Sequence, residues 1–277
     1  MTAVGEPGDE SGRRRTALVT GASAGIGAAF AEEFARHGYD VVLTARREDR
    51  LRELATRLER EHGTRARVGT ADLARRDAPR ELAQALERDG IVVDALVNNA
   101  GYGVPGRYLR SPWDTHDAFL QVMTVAVAEL THRLLPGMVA RRFGRIINVA
   151  SLAGLVPASA GHTLYGASKI FLVRFSEALA LEVAPHGVHV TALCPGFTYS
   201  EFHDVNGMRP RVSRLPSWLW MDAVRVAREG YAAVDAGRSV YIPGRVNRTI
   251  AGLSALLPGV LIRGVNRWAG RAYRDSD

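Results

Sequence analysis

Tyr165 and Lys169 stand four residues apart in "YGASK". On a helix that spacing puts both side chains on one face, one turn apart. Lys169 is the only lysine among the 36 Lys plus Arg of the 277-residue chain. A chain that uses arginine for every other cation keeps one ammonium here, which points to a need for a compact charge on a flexible stem rather than a flat fork. A tyrosine ionises near ~10 in water, and a cation beside it favours the phenolate. The pair therefore reads as a proton-exchange group with its tuning cation. Ser151, ending "INVAS", adds a hydroxyl able to hold a carbonyl or alcohol oxygen, although a serine ending a strand is by itself usually a turn cap.

A second constellation lies near the N-terminus. "TGASAGIG" (20–27) places Gly21, Gly25 and Gly27 between a first strand and a first helix. Such glycines permit a tight turn and let backbone N–H groups at the helix start approach a pyrophosphate. The second strand ends "TARRED", where NAD sites usually carry an acid for the ribose 2′-hydroxyl. Arg46 and Arg47 suit a 2′-phosphate instead, and Ser23 adds a hydroxyl. The expectation is NADP(H), with NAD(H) as the alternative; the competing view has both arginines opening a solvated helix before Glu48 and Asp49. "ADL" (71–73) offers Asp72 to an adenine amino group, and "NNAGYG" (98–103) offers small residues beside a cofactor, with Asn98 holding neighbouring strands. Asn, Asp and Gly are also ordinary turn residues.

These groups need elements to hold them. Short β-branched runs at 16–20, 40–45, 65–70, 93–98, 144–150, 187–194 and 238–242 alternate with helical patterns at 25–37, 47–62, 77–88, 115–142, 163–184 and 221–236. Such alternation predicts an α/β fold: one Rossmann-type, doubly wound domain around a parallel sheet, with its ligand crevice at the carboxyl ends of the strands. The expected divisions are a flexible tail over 1–14, a catalytic domain over 15–244 and an amphipathic C-terminal extension over 245–277.

Composition narrows the class. The net charge of +7 comes from arginines interleaved with acids, as in "REDRLRELATRLEREH", and no nucleic-acid motif accompanies it. A lone cysteine, Cys194, excludes an internal disulfide and fits a reducing cytoplasm. It reads as core packing, and His132 and His162 lack ligand spacing. No signal peptide is evident, and "TIAGLSALLPGVLI" (249–262) falls short of the ~20 residues that span a bilayer. The arginine-bearing C-terminal segment leaves peripheral membrane contact open, beside covering the substrate mouth or packing on a partner subunit.

Taken in order, "TGASAGIG", "NNAG", the serine after "INVA", "YGASK" and "CPG" (194–196) resemble the short-chain dehydrogenase/reductase family, from about Thr16 to Gly244. The resemblance implies a seven-stranded parallel sheet, a nicotinamide cofactor and a homodimer or homotetramer. It implies Tyr165 as general acid in reduction and base in oxidation, Ser151 orienting the substrate oxygen, and Lys169 binding the nicotinamide ribose and lowering the tyrosine pKa. The implied nucleotide contacts are Gly21, Ser23, Gly25, Ile26, Gly27, Arg46, Arg47, Asp72, Leu73, Asn99, Ala100, Gly101, Tyr165, Lys169, Pro195, Gly196 and Thr198, with Thr198 or Ser200 near the carboxamide. One departure stands out: Met123 falls where many members carry an asparagine that helps hold a relay water, and a thioether cannot replace an amide there.

The segment after "CPG" carries Phe202, Met208, Leu215, Trp218, Leu219, Trp220 and Met221, either an apolar lid or plain core and interface. The function expected is reduction of an apolar or lipid-like ketone or aldehyde with NADPH. The rivals are an NAD(P)-dependent alcohol dehydrogenase working oxidatively and a non-catalytic dinucleotide-binding partner protein.

Overall fold

Each apolar run becomes a strand whose side chains are buried on both faces, as a helix-covered parallel sheet requires. The computed structural model describes residues 12–104, 106–158, 161, 163–201 and 216–256. Its central sheet contains β1 (Thr16–Thr20), β2 (Asp40–Thr44), β3 (Ala66–Val68), β4 (Ala95–Asn98), β5 (Gly144–Val149), β6 (Val188–Leu193) and β9 (Val240–Tyr241). They lie in the order β3-β2-β1-β4-β5-β6-β9, all parallel. The order reverses between β1 and β4, so the switch-point crevice opens between the loops that follow these two strands.

Helices α1 (Gly25–Arg36), α2 (Glu48–His62) and α7 (Ala223–Asp235) bear core residues on one face of the sheet, including Phe30, Phe34, Leu51, Leu58 and Val226. On the other side lie α3 (Ala78–Arg88), α5 (Ala126–Ala140) and α6 (Thr163–Val183), with Leu82, Leu130, Met138 and Leu172 buried. A short helix α4 (Trp113–Leu120) joins α5 through a π-helical turn, Gln121–Val125. Trp113–Ala140 is apolar and long enough to cross a bilayer, yet Phe119, Met123, Leu130 and Met138 are completely or almost completely buried within the fold.

Two small elements matter for the site. β7 (Thr198–Tyr199) pairs with β8 (Met221–Asp222), drawing together the chain on either side of 202–215. Helix α8 (Arg245–Leu256) then packs Asn247 into the domain, where its Nδ2 donates to Pro243 O at 2.9 Å. The expected N-terminal tail is held at its end, with Arg13 making two hydrogen bonds of 2.9 and 3.0 Å to the buried Asp94.

Candidate active site

The glycine loop is shaped by contacts that exclude side chains. Gly21 and Gly25 have φ of +66° and +56°, a region that favours glycine. A Cβ on Gly27 would overlap Gly21 O and press on Asn99 Nδ2 at 2.5 Å, while one on Gly25 would meet Ser200 Cβ at 2.8 Å. Ala24, the N-cap of α1, offers no capping side chain, and no acid lies in the first turn. The N–H groups of a helix start, which lack intrahelical partners, fit a pyrophosphate here.

The loop after β4 braces that cradle. Thr20 Oγ1 accepts from the N–H groups of Asn99 and Ala100 at 3.0 and 3.1 Å, and Asn99 Nδ2 donates to Thr20 O and Gly21 O. Asn98 Nδ2 donates to Asn148 Oδ1 at 2.9 Å across paired β4 and β5, so this residue does hold neighbouring strands. Gly101 faces Met123, whose Sδ would lie 2.9 Å from an added Cβ. The methionine thus fills space beside the loop where the resemblance leads one to expect an amide.

At the adenosine end, Arg47 donates through Nε and Nη2 to Ser23 Oγ at 3.3 and 3.0 Å. Arg47 is also the N-cap of α2. A cation at the positive end of a helix is unfavourable by itself, and here Glu48 and Asp49 in the first turn offset it. Arg46 is exposed and lies close enough to Tyr102 to oppose the burial that raises that phenol's pKa, while Asp72 adds to the rise. Asp72 Oδ1 is partly engaged, accepting from Ala74 N at 3.1 Å, and Leu73 is a buried core residue. Ile26 packs against the core from α1.

The candidate reacting groups come from the end of β5 and from α6. Ser151 follows β5, its Oγ accepting from Ala153 N at 3.1 Å and hydrogen-bonding the Tyr165 hydroxyl. Burial pushes the Tyr165 phenol up to about 12, with the Ser151 bond pulling the other way. Lys169 is 6% exposed; its Nζ donates to Val149 O at 2.8 Å and stands 5.6 Å from the centre of the Tyr165 ring. Burial lowers the ammonium to about 8. Burial is the larger influence on the phenol and the Ser151 bond the opposing one, while the Lys169 ammonium is directed at a backbone carbonyl. Cys194 lies in the core beside Lys169, and burial raises its thiol to about 12, which makes it inert packing.

The segment after β6 closes the site from the other side. Pro195 O accepts from Leu152 N at 2.9 Å, and Thr198, itself buried, donates to Gly196 O at 3.2 Å. A Cβ on Gly196 would overlap Asn247 Oδ1. Trp220 stacks on Tyr199 at 4.9 Å and tilts against Phe197 at 5.5 Å, while Met221 belongs to the core. Trp218 is exposed; Phe202, Met208 and Leu215 lie outside the described residues, as does His162. His132 is solvent-facing. Beside Tyr165 a shallow cleft is lined by Tyr108, His116, Phe119, Thr163 and Leu164. His116 there is buried with Nδ1 unpaired among the described residues.

Three participants escaped sequence inspection. Asn247 lies 51 positions beyond the glycine it covers. Glu201 and Arg50 complete a cluster with Arg47: Arg47 Nη1 donates to Glu201 Oε2 at 2.7 Å, and Arg50 Nη1 donates to Oε1. Only Arg50 carried a local signal, one turn beyond Arg47.

Residues 15–208 match the short chain dehydrogenase family, and the chain belongs to it. Nodulation protein G of Rhizobium sp. (strain N33) is 36% identical over 245 residues, covering 87% of this chain and 98% of the relative. A short-chain dehydrogenase from Sphingobium yanoikuyae in complex with NADPH superposes with a TM-score of 0.77 at 32% identity, over 88% of this chain and 96% of that one. A bulky-bulky ketone specific alcohol dehydrogenase from Comamonas testosteroni gives 0.72 at 31%, over 88% and 95%. The protein is an NAD(P)-dependent short-chain oxidoreductase.

Proposed function

We propose that the protein is an NADPH-dependent carbonyl reductase acting on an apolar ketone or aldehyde. The observation that supports this reading is the hydrogen bond between Tyr165 and Ser151 at the carboxyl end of β5, one helical turn from the Lys169 ammonium. A bound nicotinamide dinucleotide supplies hydride chemistry in such a site. Tyr165 donates its phenolic proton to the substrate oxygen as that oxygen gains negative charge. Ser151 donates to the same oxygen and orients it. Lys169 remains largely an ammonium at neutral pH, with its ordinary value of 10.5 lowered only to about 8. Its charge stabilises the phenolate left behind and holds ribose hydroxyls.

In this reading Arg46, Arg47 and Ser23 take the 2′-phosphate, Gly21, Gly25, Ile26 and Gly27 the pyrophosphate, and Asp72 with Leu73 the adenine. Asn99, Ala100 and Gly101 border the cofactor, as do Pro195, Gly196 and Thr198. The NADPH bound to the Sphingobium relative supports the nucleotide assignment. The bulky ketones named for the Comamonas enzyme, together with Phe197, Tyr199 and Trp220 at the mouth, support an apolar substrate. Exposed Val125, Phe171 and Leu181 on the π turn and α6 support a homodimer or homotetramer, and a lone buried thiol suits a cytoplasmic setting. The extension beyond Leu256, including any membrane contact, lies outside the described residues.

Thermal unfolding with matched NADPH and NADH tests the nucleotide assignment. A ligand at ~100 times its dissociation constant adds about 2.7 kcal/mol to native stability. The expected result is a clear rise in Tm with NADPH and a smaller one with NADH. Equal or greater stabilisation by NADH contradicts the assignment of Arg46 and Arg47.

A further inference from the structure

We propose that Glu201 is the chain's own occupant of the 2′-phosphate subsite and sets how strongly the enzyme prefers NADPH to NADH. The inference rests on Arg46, Arg47 and Ser23 forming that subsite. Both Glu201 carboxylate oxygens are engaged there, Oε2 by Arg47 Nη1 at 2.7 Å and Oε1 by Arg50 Nη1. The other edge of Arg47 is committed to Ser23 Oγ. One guanidinium therefore joins the glycine loop to an acid that is 154 residues away in sequence.

A phosphate monoester arriving at Ser23 and Arg47 needs the donors that Glu201 already holds. Two anions sharing these donors repel each other, so the phosphate enters by exchange and the carboxylate must withdraw. Its two arginine partners hold the Glu201 carboxyl below the usual range, so it stays ionised at neutral pH and does not leave by protonation. A nucleotide with a bare 2′-hydroxyl brings no charge and leaves Glu201 in place. Its hydroxyl can donate to the carboxylate, a role that an acid ending the second strand fills in NAD sites. Both effects work against NADPH relative to NADH. The acid comes from a structurally consequential place: Ser200, its neighbour, lies against Gly25, and β7 precedes it directly. Occupation of the phosphate subsite is thereby tied to the segment bordering the nicotinamide end.

The test is a pair of fluorescence titrations, NADPH and NADH, on the wild type and on Glu201→Gln at low salt. Exposed charge pairs of this kind predict that NADPH tightens about three- to tenfold in the variant while NADH stays within about twofold or weakens. Raising the salt shrinks the gain, because the competing charges are partly exposed. Glu201→Ala must move the ratio in the same direction. NADPH binding that is unchanged or weaker in the variants, or both nucleotides tightening equally, overturns the proposal. The wild-type ratio bears separately on the subsite: wild-type protein that favours NADH counts against Arg46 and Arg47, whereas the change in ratio on substitution decides the role of Glu201.

Discussion

Lys169 carries its charge to a place where burial opposes it. A fall in pKa from 10.5 to about 8 corresponds to about 3 kcal/mol against the charged form in the folded protein. Below pH 8 both folded and unfolded chains hold this proton, and the folded state bears the whole cost. Between about pH 8 and 10.5 the folded protein gives up the proton while the unfolded chain keeps it, so this contribution to stability rises with pH. Lys169→Met should therefore stabilise the unliganded protein by about 1–3 kcal/mol at neutral pH, despite losing the bond to Val149 O, and should flatten that alkaline rise. Denaturant unfolding across the pH range measures both effects, and a variant less stable than wild type at pH 7 contradicts them. The need for an ammonium was legible in the sequence, because one lysine among so many arginines stands out. Its actual partner was not, since a backbone carbonyl at the end of another strand leaves no mark in composition.

At the scale of elements, the glycine loop works because β1, α1 and the loop after β4 approach within contact distance. Gly27 has no room for a methyl group between Gly21 O and Asn99 Nδ2. Gly27→Ala should cost about 2–4 kcal/mol through overpacking and displaced hydrogen bonds, and weaken either dinucleotide at least ~30-fold. Chemical unfolding and nucleotide titration check the two halves separately; a variant with wild-type nucleotide affinity removes the cradle from the account. This element was readable because much of its demand is local: the turn and the helix start lie within eight residues. Strand and helix positions were readable for the same reason, through periodicity. What surrounds Arg47 was not readable. Ser23 lies near enough to suggest itself, but Glu201 reaches it only through the crossover topology that places the segment after β6 over the loop after β1. Asn247 escaped notice likewise, since the cover over Gly196 belongs to a helix that follows the last strand.

Across the described residues, most ion pairs lie away from the candidate site. Arginines pair with acids one turn away on exposed helix faces, as in Arg52–Glu48, Arg133–Glu129 and Arg225–Glu229, pairs worth only a few tenths of a kcal/mol each. At the amino ends of the strands, the buried Asp94 accepts from Arg13 and from Thr16 N. In the proposed reading, hydride and proton transfer belong to the opposite, carboxyl ends, where Ser151 follows β5 and the glycine loop follows β1. The fold class, the sheet and the crevice at the carboxyl ends of its strands were evident from the order of motifs along the chain. The substrate was not, because its specificity depends on side chains after β6 whose spacing follows no period.

The most direct test of the central claim follows NADPH consumption by purified wild-type protein over a panel of bulky apolar ketones, with Tyr165→Phe run in parallel. General acid catalysis contributes about 10²–10⁴-fold, so the account predicts ketone-dependent consumption that falls by at least ~100-fold in the variant while nucleotide affinity is retained. Turnover that survives the substitution undiminished, or NADPH binding with no consumption on any ketone, contradicts it.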